Sequence, residues 1–188
     1  MANGTLKVSN IETSSGSGTI TIGQSGETIT IPSGATINLS NATQTGVGGE
    51  NTPAFHAKTT SDISVANTTN TELVFPSEDF DTASAYDTSN GRFTPQTAGK
   101  YLIVSCIVIK VLQDGSEAML QIRKNGSFND NSAQKDLVGK NNYNANLSAS
   151  TIVEFNGSSD YVSIFCYQDG GANKNVQGSF GAYKIIGA

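Results

Sequence analysis

From Pro53 onward the chain is a succession of short apolar runs, PAFHA, TELVF, GRFT, YLIVSCIVIKVL, EAMLQIRK, LSASTIVEF, YVSIFCYQ and GSFGAYKIIG, separated by clusters of Asn, Gly, Asp and Ser. Runs of that length, rich in β-branched and aromatic residues and broken by turn formers, read as strands. No segment carries an apolar stripe at helical spacing with caps, so little or no helix is expected. Eight or more short strands in residues 53–188 imply an all-β sandwich, and a jelly roll is one standard way to close it. The longest run, Tyr101 to Leu112, is apolar at odd and even positions alike. It belongs in the middle of the domain or at a subunit interface, because a long apolar edge left open would aggregate.

The front of the chain has a different pattern. Thr19-Ile-Thr-Ile, Thr28-Ile-Thr-Ile and Thr36-Ile-Asn-Leu repeat one motif, with Gly23 to Gly26 between the first two copies and Pro32, Ser33 and Gly34 between the next two. Strict alternation puts Ile20, Ile22, Ile29, Ile31, Ile37 and Leu39 on one face, the period of a half-buried strand. Three short strands with one wet side are expected. Six aliphatic side chains hide too little area to offset the ordering of the segment, so a lone copy is not expected to fold. Three copies around an axis, or a larger partner surface, would cover the isoleucines and pair the strand edges. Residues 41–52, NATQTGVGGENT, read as a linker, dividing the chain into a segment 1–40 and a domain 53–188.

Composition narrows the function. Charged residues are only 14% of the chain and its net charge is −5, which argues against a sequence-independent grip on nucleic acid. No apolar run approaches the roughly 20 residues of a spanning helix, so no membrane insertion is expected. Met1 to Asn10 lacks the basic start and apolar middle of a secretory signal, which points to synthesis in a cytoplasm. Cys106 and Cys166 each lie inside an apolar run. Two buried free thiols are the expectation, with a bridge between neighbouring strands as the alternative.

Phe75 is followed after five residues by Asp81, after four by Tyr86, after six by Phe93, after five by Gly99, and then at one remove by Tyr101. This spacing resembles the C1q-domain signature. The pattern departs at Ile103 and Ser105, where that family has aromatic residues, while SFGAYKII resembles its closing strand with Phe180 and Tyr183 in the aromatic positions. Between residues 116 and 171 only the strand pattern supports the likeness. The resemblance implies a C1q/TNF-like jelly roll over residues 53–188, assembled as a compact homotrimer. Independently of it, the aromatic anchors are natural core fillers in a chain without tryptophan, and Gly99 suits a tight turn into the long strand.

The front repeat, especially ETITIPSGATINLS, resembles segments of fibre, spike and decoration proteins of tailed bacteriophages, where strand repeats precede a trimeric head. Together the two resemblances imply a virion structural protein made in the host cytoplasm and displayed on the virion surface. The segment 1–40 would act as stalk or anchor on other proteins of capsid or tail. The head would face outward and engage a host cell-surface glycan or protein. A capsid decoration trimer without receptor role and a bacterial secreted adhesin or lectin are the alternatives.

His56 is the single histidine and stands in the strand-like PAFHAKTT, without a nucleophile-elbow, phosphate-loop or paired-histidine motif. Glu78, Asp79 and Asp81 form the densest acidic cluster, read as solvated residues of a loop SEDFDTAS. Asp130, Asp136, Asp160 and Asp169 lack calcium-loop spacing. No catalytic residue, cofactor or metal is assigned. Loops at 113–116, 128–146 and 168–175 are the candidate contact surfaces.

Overall fold

The computed structural model describes residues 11, 13, 18–23, 25–37, 51–128, 134–138 and 143–185, with the side chains of 134–138 excepted. The chain divides into two units, Met1–Thr45 and Gly46–Ala188. In the first, the turns between the repeats are present: Gly26 and Gly34 hold φ of +87° and +84°, and the Ala35 amide donates to the Pro32 carbonyl at 3.1 Å. Among the described residues of this unit none is in a strand. An extended segment becomes a strand only when a neighbour accepts its backbone hydrogen bonds, and one copy supplies no such neighbour. Ile20, Ile22, Ile29, Ile31 and Ile37 are accordingly exposed by 43–64%. Leu39 and residues 38–50 lie outside the described residues.

Among the described residues the second unit is an all-β sandwich of twelve strands with no helix. They are β1 (Ala54–Lys58), β2 (Ile63–Val65), β3 (Thr71–Leu73), β4 (Ser77–Asp81), β5 (Tyr86–Asp87), β6 (Arg92–Phe93), β7 (Gly99–Leu112), β8 (Glu117–Lys124), β9 (Gln134–Val138), β10 (Tyr143–Phe155), β11 (Val162–Gln168) and β12 (Lys174–Lys184). The first sheet runs β10-β7-β12-β1-β4, with β2 also on β12; the second runs β5-β6-β11-β8-β9, with β3 also on β11. Every pairing is antiparallel, and apart from β5-β6 and β8-β9 the neighbours in a sheet are not consecutive in the chain, as in a jelly roll.

Alternation explains which residues face inward. Along β7, Tyr101, Ile103, Ser105, Ile107 and Ile109 are buried, and the residues between them look outward. The phase then slips, so that Leu112 rather than Val111 returns to the core. Three steps from Ile109 to Leu112 oppose two steps from Ala145 to Tyr143, the mark of a β-bulge, and Val111 takes φ +54° there. Two loop readings are corrected by the ladders. SEDFD forms β4, held on β1, and the stretch 128–146 contains β9 and the start of β10. Both are polar edge strands, whose composition resembles that of a loop because only one side needs a partner.

Candidate functional site

An aromatic stack between the sheets fixes the geometry of both outer faces. Phe55 stacks on Tyr86 and on Phe93, each at 4.6 Å between ring centroids, and meets Phe180 edge-on at 4.8 Å. Tyr101 and Phe155 meet edge-on at 5.1 Å, and Phe75 lies 6.0 Å from Phe180. The signature residues Phe75, Tyr86, Phe93, Tyr101 and Phe180 are thus brought together in one core. Asp81 holds the approach to it from outside, its carboxylate accepting from the amides of Ala83 (3.0 Å) and Tyr86 (2.8 Å). Gly99 opens β7 at φ +141°, where a Cβ would stand 3.0 Å from the Lys184 Cε. Tyr183 falls on the opposite side of the sheet from Phe180 and is 40% exposed, because it lies an odd number of positions, three, further along the same strand. Sequence reasoning missed Phe55 and Phe155 as centres of the stack. Each was visible as the lone aromatic residue of an apolar run, PAFHA and TIVEF.

Ser105 and Ile103, the departures from the resembled pattern, both face inward on β7. Ser105 donates its hydroxyl to the Ser179 carbonyl at 2.8 Å, and the large ring of Phe180 stands directly opposite it in the ladder.

The outward face of the first sheet is the most unusual surface of this unit. One row across it reads Ser150, Val104, Gly181, His56 and Phe80; the next reads Ser148, Cys106, Ser179 and Lys58. The middle of both rows is uncharged and built of small groups. Val104, Ile152, Tyr183 and Phe80 add exposed apolar surface of 38%, 60%, 40% and 51% of their areas. Two shallow hollows, of about 280 and 330 Å³, lie on either side of Cys106. Both thiols are free, yet only Cys166 is buried; Cys106 is exposed, which corrects the expectation for it. The apolar run around Cys106 is apolar on both faces, so its hydropathy could not reveal which face the thiol takes. Burial pushes the Cys166 thiol up to about 12.

Charge is confined to the rim. His56 Nδ1 lies 2.8 Å from Asp79 Oδ2, and Lys58 donates to the other oxygen of that carboxylate. The Lys58 hydrogen bond, with His56 second, holds the Asp79 carboxyl below its ordinary range. Glu78 is exposed on the same strand. Asp160 is engaged by Lys124 at 2.7 Å and by Asn125 at 2.9 Å, and Asp169 accepts from the Glu117 amide at 2.6 Å. Asp130 and the side chain of Asp136 lie outside the described residues. Among the described residues no cluster of three or more His, Cys, Asp or Glu could hold a metal.

The outward face of the second sheet is finished by its own side chains. Arg92 lies over the Tyr161 ring at 4.4 Å and Arg123 over the Phe165 ring at 4.1 Å. Arg92 Nε is 3.5 Å from Glu72, and Arg123 donates twice to Gln121 Oε1, at 2.9 and 2.6 Å. One face of the sandwich is therefore covered by its own polar contacts, and the other is left bare.

The fold is similar to the globular domain of zebrafish complement 1qA protein, with a TM-score of 0.55, 16% identity, and 71% of this chain covering 97% of that one. It is also similar to PRD1 vertex protein P5 (TM-score 0.54, 17% identity, 73% of this chain and 99% of that one). Murine APRIL gives a TM-score of 0.52 at 10% identity, covering 70% of this chain and 98% of its own. No sequence-family model matches the chain, and no curated protein matches it. At these identities the likeness establishes the C1q/TNF-like jelly roll of the second unit.

Proposed function

We propose that this chain is a structural protein of a bacteriophage virion surface and works as a non-enzymatic homotrimer. Its jelly-roll head faces outward for host-surface adhesion, residues 41–52 connect it to the front segment, and residues 1–40 anchor it to capsid or tail. The observation that carries this reading is the bare, uncharged outer face of the first sheet, set against a second sheet whose outer face is already covered. Exposed apolar surface of that kind marks an association site. A closed ring of identical copies covers it without leaving an open edge. The exposed isoleucines of the front segment pose the same problem and admit the same answer. Similarity of fold to a vertex protein supports a place on a particle. Multivalent contact is then the mechanism of adhesion: three identical heads add weak individual contacts through effective concentration.

Light scattering of the full chain tests the assembly. A mass of three times 19.6 kDa supports it, and a stable species at the single-chain mass overturns it. Labelling the C-terminus on intact particles tests the location. Signal at vertices or tail supports a fibre, whereas signal at every local three-fold supports decoration of the shell without a receptor role.

A further inference from the structure

The connections β2–β3, β7–β8 and β11–β12 meet at one end of the sandwich, where side chains tie them together. Gln168, fully buried, donates to the carbonyls of Val65 (3.2 Å) and Ala172 (2.9 Å) and accepts from the Gly170 amide (2.7 Å). The Gly171 amide donates to Asn67 Oδ1 at 2.9 Å, and the Glu117 amide to Asp169 Oδ1 at 2.6 Å. These bonds fix the end in one shape. Three side chains beside them stay open. Val111 and Gln113 flank the buried Leu112, and Tyr143 is the ladder partner of Leu112 on β10, so the neighbouring-strand spacing of about 5 Å brings all three into one patch. Tyr143 is 70% exposed and Val111 54%. The exposed Gln113 side chain has no hydrogen bond among the described residues, and its Oε1 lies 2.9 Å from where a Cβ of residue 171 would stand. Val111 breaks a local rule as well. The β-bulge holds it at φ +54°, which disfavours β-branched residues, and its side chain gains no burial in return. Strain without a packing gain, next to an exposed tyrosine, marks a place kept for an outside contact.

The three groups together have the chemistry of a sugar contact. A tyrosine ring is a rigid apolar plate that loses little entropy on binding, valine adds a second apolar contact, and a free primary amide offers two donors and an acceptor in one plane. A patch of three side chains matches one sugar ring and falls far below the roughly 1,000 Å² of a protein interface. Charge selects the kind of sugar. Lys110 is paired with Asp62, which leaves Asp114, Glu117 and Asp169 against Lys174 among the described residues of this end. That surplus of carboxylates disfavours acidic sugars. We infer that Tyr143, Val111 and Gln113 bind the N-acetylhexosamine units of a surface glycan. The C–H face of the pyranose lies on Tyr143, the acetyl methyl on Val111, and the Gln113 amide pairs with the acetamido group or a ring hydroxyl. The inference rests on the adhesive part of the proposed function and names the chemistry of its receptor. One ring on three side chains is a weak contact, which three linked copies make effective.

The test titrates the full chain with methyl β-N-acetylglucosaminide and methyl α-N-acetylgalactosaminide, following the Val111 methyl and Gln113 side-chain amide resonances. Methyl β-glucoside and methyl α-galactoside, which lack the acetamido group, run as comparison ligands. At least one acetamido sugar is expected to shift both residues saturably, with the plain glycosides at least fivefold weaker. Tyr143→Ser and Val111→Asn should each weaken binding at least tenfold. Val111→Asn is the telling variant, because it relieves the backbone and leaves the denaturation midpoint no lower, so that lost binding is not a damaged fold. Phe128→Ser, which removes an exposed ring beyond the far end of β8, should leave binding unchanged. No saturable shift with either acetamido sugar, shifts that spare Val111 and Gln113, or equal binding of the plain glycosides would overturn the assignment. Dissociation of the assembly by Tyr143→Ser would overturn it too, by making the patch a contact between copies. The mass measurement separates the failures. A trimer that ignores acetamido sugars refutes this inference alone, whereas a single-chain species that binds them supports the site and refutes the proposed assembly.

Discussion

At Tyr86 one hydroxyl secures a turn of chain inside the core. It accepts from the Phe75 amide at 3.1 Å and donates to the Phe75 carbonyl at 3.2 Å. Tyr86→Phe keeps the ring stack and strands both backbone groups, so a loss of about 1–3 kcal/mol in urea unfolding is expected, with the slope unchanged. The same burial makes the protein sensitive to alkali. Burial pushes Tyr86 up from 10.0 to about 12 and Cys166 up from 9.0 to about 12. Both groups are neutral when protonated, and the unfolded chain releases these protons at lower pH than the folded one. Stability is therefore full below about pH 9 and falls toward pH 12, by about 1.4 kcal/mol per pH unit for each group once its unfolded form ionises. Melting temperatures across that range check the sign, and Cys166→Ala should flatten the first part of the decline. The core role of Tyr86 was readable from the spacing of aromatic residues. Its hydrogen bonds were not, because they join residues whose relation depends on the path of the intervening loop.

Among the elements, β7 was legible as a long central strand and its break in phase was not. A run that is apolar on both faces gives no period to read, so the slip at Val111 left no trace in hydropathy. The bulge places a β-branched residue at φ +54°, with its amide bonded to Asn144 Oδ1 at 3.2 Å and its side chain 54% exposed. The left-handed region disfavours such residues by roughly 1–2 kcal/mol, whereas asparagine tolerates it. Val111→Asn should therefore raise stability by about 1 kcal/mol, seen as a higher denaturation midpoint. A lower midpoint would mean that the exposed valine is covered in the assembled protein. The same limit on sequence reading affected β4. SEDFD has the composition of a loop, and only its ladder to β1 makes it a strand. Strand order between distant segments is set by packing, so the pairing of β12 with both β1 and β7 was beyond a local pattern. For the candidate site the position is similar. Val104 and Cys106 were visible as apolar residues, but their place on the outside depended on which sheet face the core claimed.

For the whole molecule, two surfaces ask for cover, and they make separable predictions. If the first sheet's face holds the heads together, charge placed on it must act without harming the fold. Val104 and Ile152 are suitable positions, being outward-facing and exposed by 38% and 60%. In the single chain an arginine at either position remains hydrated, so the melting curve of a dissociated protein should be little changed. In an assembly the same arginines are buried in every copy against uncharged neighbours, and an unpaired buried charge costs several kcal/mol. Val104→Arg with Ile152→Arg is therefore expected to bring the full chain from three times 19.6 kDa to the single-chain mass at micromolar concentration. Ile20→Ser with Ile29→Ser should do the converse, preserving the mass while abolishing incorporation into particles. The opposite pairing, in which the front variants dissociate and the sheet variants do not, would move the assembly contact from the head to the isoleucine repeat. In that case the bare face of the first sheet would be free to meet a different protein.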